Sequence, residues 1–243
     1  MERKDKSLTE IPRAFDEMLH FVNTYSGEGP LNCLMVGIGH ERVFIDEEYV
    51  GRHLAAHGPY QPSTFAACCD NRNLDYNLTL LDKDSEALHY AKKMRKLVIL
   101  DVPDMNPAMP MYAHLSGQAL TYTKSEIKAK IPESLKRKRK AKEITYIQHN
   151  ISESITFENS PFDMIVCTNV FGYLQDQEKE KHALRTFREN LSSEGIVIAS
   201  LHNIGVEDTG LADITEETLS QLRSENMLHF GDKYHEYKLL RHS

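Results

Sequence analysis

With 243 residues the chain is long enough to bury one large core, and no linker rich in Pro, Gly and Ser divides it, so a single domain over 1–243 is expected. A formal net charge of −7 speaks against a surface built to hold nucleic acid. Four cysteines (Cys33, Cys68, Cys69 and Cys167) without C-x-x-C spacing fit a reducing compartment rather than a disulfide framework. The charged start, Met1 to Lys6, has no apolar run behind it, and no segment reaches the length of a membrane span. The expected setting is therefore cytoplasmic.

Leu8 to Tyr25 spaces Ile11, Phe15, Met18, Leu19 and Val22 along one helical face, an N-terminal helix within 1–30 that ends at Ser26-Gly-Glu-Gly-Pro30. Leu31 to Val36 is the first strand, followed directly by Gly37-Ile-Gly39-His-Glu41, and Arg42 to His57 has helical spacing. Asn77 to Leu81 is the second strand, ending at Asp82, and Ser85 to Lys96 the next helix. Pro103, Pro107 and Pro110 forbid a long regular element, so 103–143 reads as an inserted, lid-like segment ending in a basic run, Lys136 to Lys142. Ile144 to His149 is a third strand. Met164 to Cys167 is apolar on both faces, as a buried parallel strand should be. A helix from Val170 to about Asn190 follows it, then a strand from Ile196 to Leu201 and a helix from Glu216 to Ser224. Met227 to Phe230 and Tyr234 to Leu240 can close the chain as an antiparallel pair around Gly231-Asp232. Strands alternating with helices predict the α/β class: a doubly wound, mostly parallel sheet with a C-terminal antiparallel strand pair.

Four successive strand ends carry groups suited to a ligand. Gly37-x-Gly39 lets the backbone turn tightly and approach a bound molecule. Asp82 is placed to accept from ribose hydroxyls, Asn150 offers an amide to an adenine edge, and Thr168-Asn169 ends the fourth strand. Taken one at a time, each is an ordinary turn residue. In order along one sheet edge they point to a nucleotide-like ligand. A dinucleotide dehydrogenase wants a third glycine where Arg42 stands, and no G-K-[ST] is present for a P-loop.

The stretches Leu81-Asp-Lys-Asp-Ser-Glu-Ala-Leu-His-Tyr-Ala91, Phe162-Asp-Met-Ile-Val-Cys-Thr-Asn-Val170 through Tyr173, and Leu191-Ser-Ser-Glu-Gly-Ile-Val197 resemble class I S-adenosylmethionine-dependent methyltransferases. The nearest resemblance is to the CheR-type, chemotaxis-receptor glutamate group, which Ile131-Pro-Glu-Ser-Leu135 also echoes. It implies a Rossmann-like fold and S-adenosylmethionine as cofactor. Position by position it implies Gly37, Gly39 and Glu41 near the methionine part, Asp82 on the ribose, Asn150 and Ile151 on the adenine, and Asn169 near the sulfonium. Tyr173 matches the family's active-site tyrosine.

Departures from that group shape the expected acceptor. Thr168 stands where the group has an arginine, His40-Glu41-Arg42 replaces its G-E-E run, and most of its N-terminal helical domain is missing. A small molecule offering a neutral or cationic nitrogen or oxygen is therefore expected. The alternatives are a protein carboxylate, RNA, or a methyltransferase-fold binding or regulatory module without activity. His202, at a strand end, is the preferred general base, with Tyr173 as the other catalytic candidate. No aromatic residue interleaves Lys136 to Lys142, so the basic run carries no base-stacking signal, and no His/Cys cluster suggests a metal.

Overall fold

A computed structural model describes residues 15–38, 62, 65, 69, 72–93, 141–168, 170–201, 204–224 and 237–243. Helix α1 (Phe15–Thr24) leads into strand β1 (Leu31–Val36), and β2 (Tyr76–Asp82) into α2 (Ser85–Lys93). Strand β3 (Ala141–Gln148) is followed by β4 (Phe162–Cys167), α3 (Phe171–Leu174) and α4 (Gln177–Asn190). Strands β5 (Leu191–Ala199) and β6 (Leu211–Asp213), helix α5 (Thr215–Ser224) and strand β7 (Lys238–His242) complete the order. The helix expected over Arg42 to His57, the lid-like segment up to residue 140, and the strand expected over Met227 to Phe230 lie outside the described residues.

The seven strands form one sheet in the order β3-β2-β1-β4-β5-β7-β6. From β3 to β5 all neighbours are parallel. β7 runs antiparallel to both β5 and β6. The order reverses at β1, where the chain winds first toward β2 and β3 and later toward β4 and β5. In such sheets the crevice for a ligand opens at the carboxyl ends of the two strands flanking the reversal, here β1 and β4.

The central strands read as continuous apolar runs because both of their faces are covered. On one face Cys33, Met35, Leu78, Leu80, Met164 and Val166 pack with Met18 and Val22 of α1 and with Leu88 and Ala91 of α2. On the other, Leu34, Val36, Ile165, Cys167 and Val197 pack with Phe171 of α3 and with Ala183, Leu184 and Phe187 of α4. Apolar residues at i, i+1 and i+4 in α4 form the stripe that the sheet covers.

Two expectations need adjustment. The single helix from Val170 to Asn190 is two helices: Gln175 takes a left-handed conformation at φ 51°, and Asp176 caps α4 by accepting from the Glu178 N–H. An Asp two residues before an acidic, apolar-striped run was the available N-cap signal. The strand expected to begin at Ile196 starts at Leu191 instead, with a register shift between Phe162 and Met164 on β4. β6, only three residues long, is absent from the sequence reading.

At the opposite end from the crevice, one carboxylate ties four elements together. Asp163 accepts from the Asn32 N–H at 2.9 Å, from the Tyr25 hydroxyl at 3.3 Å and from the Ser192 hydroxyl at 3.1 Å. It thereby fixes the starts of β1, β4 and β5 and the chain leaving α1. Burial, and next the Asp163 charge, raise the Tyr25 phenol above its ordinary 10.0. Because the folded value lies above the unfolded one, this contribution is intact below pH 10.0 and is lost as pH rises past it. Asp163→Ala should cost about 2–3 kcal/mol, since it removes a charged acceptor and orphans the Asn32 N–H; a melting temperature unchanged from wild type would refute this. Thermal melts taken between pH 8 and 11 should decline above ~10, and Tyr25→Phe should flatten that decline.

Candidate functional site

Main-chain hydrogen bonds join the carboxyl ends of β1 to β2, of β2 to β3 and of β4 to β5. The Gly37 N–H donates to Leu81 O at 2.8 Å, the His149 N–H to Asp82 O at 3.0 Å, and the Ser200 N–H to Cys167 O at 3.2 Å. Each bond extends a parallel ladder one residue beyond the strand. The turns that follow therefore start at fixed positions along one rim.

Gly37 turns the chain out of β1 at φ +66°. An added Cβ there would lie 2.1 Å from the Cγ2 of Val170, the residue that leads into α3. Glycine is thus required twice, by the left-handed backbone and by the close approach of the β4 loop. Asp82 is only 8% exposed, and its Oδ1 accepts from the Asp84 N–H at 2.9 Å. Asp84 in turn accepts from the Glu86 N–H at 2.9 Å and starts α2. The pair forms consecutive Asx turns that hold the Asp82 carboxylate at the rim.

Asn150 makes a similar turn beyond β3. Its Oδ1 accepts from the Ser152 N–H at 3.2 Å, and its Nδ2 donates to Glu153 at 3.4 Å. The neighbouring Ile151 is 3% exposed and packs in the core with Leu34, Val36 and Leu81, so its main chain is what it can offer a ligand. Thr168 is buried as well, and its carbonyl accepts from the Ser200 hydroxyl. Tyr173 is the opposite case: it stands 79% exposed on α3, its N–H donating to Val170 O at 2.9 Å.

Of the residues singled out by sequence, Gly37, Asp82, Asn150, Ile151 and Tyr173 thus lie on or beside one rim. Gly39, Glu41, Asn169 and His202 lie outside the described residues. Sequence reasoning passed over Asp84, Val170 and Ser200. The D-x-D spacing of Asp82 and Asp84 was a usable signal for paired Asx turns; nothing local marks Val170 or Ser200. A cavity of about 510 Å³ opens beside the rim, between α2 and β3, lined by Ser85, Glu86, His89, Lys92, Tyr146 and Gln148. There the Lys92 ammonium sits 5.0 Å from the centre of the Tyr146 ring. Among the described residues no group of three His, Cys, Asp or Glu side chains is placed to hold a metal, and no helix is long and apolar enough to cross a membrane.

Gly37→Ala should destabilise the fold by about 1–3 kcal/mol. Val170→Ala in the same chain should recover part of that loss, because it removes the Cγ2 contact but not the backbone strain. Denaturation of the four variants gives the coupling; strictly additive effects would show that the two residues do not meet.

Residues 108–199 match the family model described as a methyltransferase domain. The matched stretch takes in β3, β4, α3, α4 and β5, while β1, Gly37 and Asp82 precede it. No curated protein sequence matches the chain. Among solved structures, the chain is similar to the CcbJ methyltransferase of Streptomyces caelestis (11% identity, 80% of this chain and 51% of that one, TM-score 0.41). It is also similar to DesVI of Streptomyces venezuelae (13% identity, 83% and 57%, TM-score 0.40). A third is the N-methyltransferase NodS of Bradyrhizobium japonicum WM9 (14% identity, 93% and 90%, TM-score 0.39). The chain thus spans little more than half the length of the first two, and likenesses this distant do not bear on activity or substrate. The narrower resemblance to the chemotaxis-receptor group finds no support among these matches. The family match thus likens residues 108–199, less than half of the chain, to a methyltransferase domain, and the seven-stranded order stands beside it.

Proposed function

We propose that this protein transfers a methyl group from S-adenosylmethionine to a small molecule presenting a neutral or cationic nitrogen or oxygen. The observation that carries the cofactor part is the rim itself. A buried carboxylate at β2, an amide turn at β3 and a glycine turn at β1 follow one another beside the topological reversal.

The residues fit the cofactor in kind. Asp82, oriented by the Asp84 N–H, is the acceptor for ribose hydroxyls. Asn150 and the main chain of Ile151 flank the adenine, and Gly37 with Gly39 and Glu41 borders the amino-acid tail. Asn169 lies near the sulfonium. When bound, the cofactor supplies an electrophilic methyl group on a sulfonium. The protein's share is alignment, exclusion of water and charge complementarity. Tyr173, exposed on α3, presents an aromatic face or hydroxyl to the acceptor. His202 takes the acceptor's proton where that acceptor is protonated at working pH.

The acceptor class rests on charge. Thr168 places no cation at the end of β4, and its side chain is buried, so an anionic carboxylate gains no partner at that position. The net charge of −7 favours approach of cations or neutral molecules at short range. Buried Cys33 and Cys167 are free thiols, in keeping with a reducing, cytoplasmic setting.

One observation favours a second reading, a methyltransferase fold that binds without catalysing. The close approach that Gly37 permits is taken up by Val170 of the same chain, so this glycine has a packing duty apart from any ligand.

Titration calorimetry with S-adenosylhomocysteine should show binding by the wild-type protein, weakened at least tenfold in Asp82→Ala. Absence of binding by wild type would overturn the cofactor assignment. A transfer screen with labelled cofactor across metabolite, peptide and RNA pools then identifies the acceptor. Label confined to base-labile carboxyl esters would overturn the acceptor class, and binding without any transfer would favour the second reading.

A further inference from the structure

Ser200 is 7% exposed and sits one residue past β5. It bonds the neighbouring strand end twice: its N–H donates to Cys167 O at 3.2 Å, and its hydroxyl donates to Thr168 O. The first bond is the ordinary continuation of the β4–β5 ladder. The second is not, because it reaches past the strand to the carbonyl of the peptide joining Thr168 to Asn169.

That peptide decides where the next residues go. Immediately beyond Asn169, Val170 places its Cγ2 against the bare Cα of Gly37. Val170 O then accepts from the Tyr173 N–H at 2.9 Å, which sets the first turn of α3. A rotation of the Thr168–Asn169 peptide would move Val170 relative to Gly37, and with it Tyr173.

Resting on the cofactor assignment above, we infer that Ser200 is a positioning residue for the cofactor site: its hydroxyl, bonded to Thr168 O, fixes the β4 turn against Gly37. Ser200 touches neither cofactor nor acceptor in this role. It acts through the Thr168 carbonyl, and the free energy of one buried hydrogen bond limits how much it can contribute. Thr168 and Ser200 are both buried, so water cannot replace the bond when the hydroxyl is removed.

The control lies at the other end of the same strand. Ser192 donates its hydroxyl to Asp163 at 3.1 Å, among the strand starts and away from the rim. Ser200→Ala and Ser192→Ala each delete one hydroxyl hydrogen bond from β5 or its immediate extension, and both are expected to lower the melting temperature. S-adenosylhomocysteine binding separates them. Ser200→Ala should raise the dissociation constant roughly three- to tenfold, and Ser192→Ala should leave it at the wild-type value. Equal affinities for Ser200→Ala and wild type, or equal losses in the two variants, would overturn the positioning role. If the wild-type protein itself fails to bind, the cofactor assignment is what falls.

Discussion

The contact on which the site depends is the one between Gly37 and Val170. Parallel strands β1 and β4 lie side by side, and the chain leaves both at the same end of the sheet. Two loops therefore emerge a strand spacing apart, about 4.8 Å, and here they turn toward each other, so that a Cβ at Gly37 would collide with Val170. The conflict is resolved by removing one side chain altogether and seating the other in its place. Once Val170 rests on Gly37, the paths of both loops are coupled. The turn out of β1 cannot shift without displacing the start of α3, and Tyr173 moves with it. The reversal of strand order thus creates the crevice and also the steric problem that its two loops must solve.

The sheet was legible in the sequence because its strands obey a simple rule. Cys33 to Val36 and Met164 to Cys167 are apolar at consecutive positions, as a strand covered on both faces should be, and helices do cover both faces. The polar residues just after those runs marked the rim, and Gly37, Asp82 and Asn150 are found at strand ends or directly beyond them, with Tyr173 on the short helix after β4. Less legible were features set by pairing rather than by composition. β6 holds three residues and exists as a strand because β7 lies beside it, with Leu211 opposite His242. The early start of β5 through Ser192, Ser193 and Glu194 has no apolar signal; those residues extend only because Leu191 registers with Phe162. The break at Gln175 was marked by Gly172 and by Asp176, an N-cap residue that a single helical reading overlooks. Val170 and Ser200 escaped notice because their importance depends on partners far away in sequence, which periodicity does not report.

The two ends of the sheet divide the work differently. At the strand starts a single charged group, Asp163, collects three donors and draws α1, β1 and β5 toward β4. A charge-assisted cluster of this kind stabilises strongly but leaves its acceptor oxygens committed. At the strand ends, neutral main-chain bonds perform the stitching instead, from Gly37 to Leu81, His149 to Asp82 and Ser200 to Cys167. The backbone carries the ladder to the rim, and the Ser200 hydroxyl and the Val170 side chain then set the loops beyond it. An enzyme whose chemistry asks mainly for alignment benefits from that arrangement, since rigidity and recognition are carried by different atoms.

Asp82 shows why the plain and the functional readings of such residues do not compete. Viewed as a turn residue, its Oδ1 satisfies the Asp84 N–H, and Asp84 then caps the first turn of α2. Viewed as a ligand group, the same bond fixes the rotamer of a carboxylate at the rim. A carboxylate 8% exposed is costly to keep ionised unless hydrogen bonds meet it, and a main-chain N–H supplied by the next turn is the least expensive local donor. The turn is thus the means by which the acid is held in place. The same holds for Asn150, whose Oδ1 closes a turn on Ser152 while its position is set by the end of β3. Where a strand ends in an Asx turn at a topological reversal, the residue that shapes the chain is also the residue best oriented to meet a ligand.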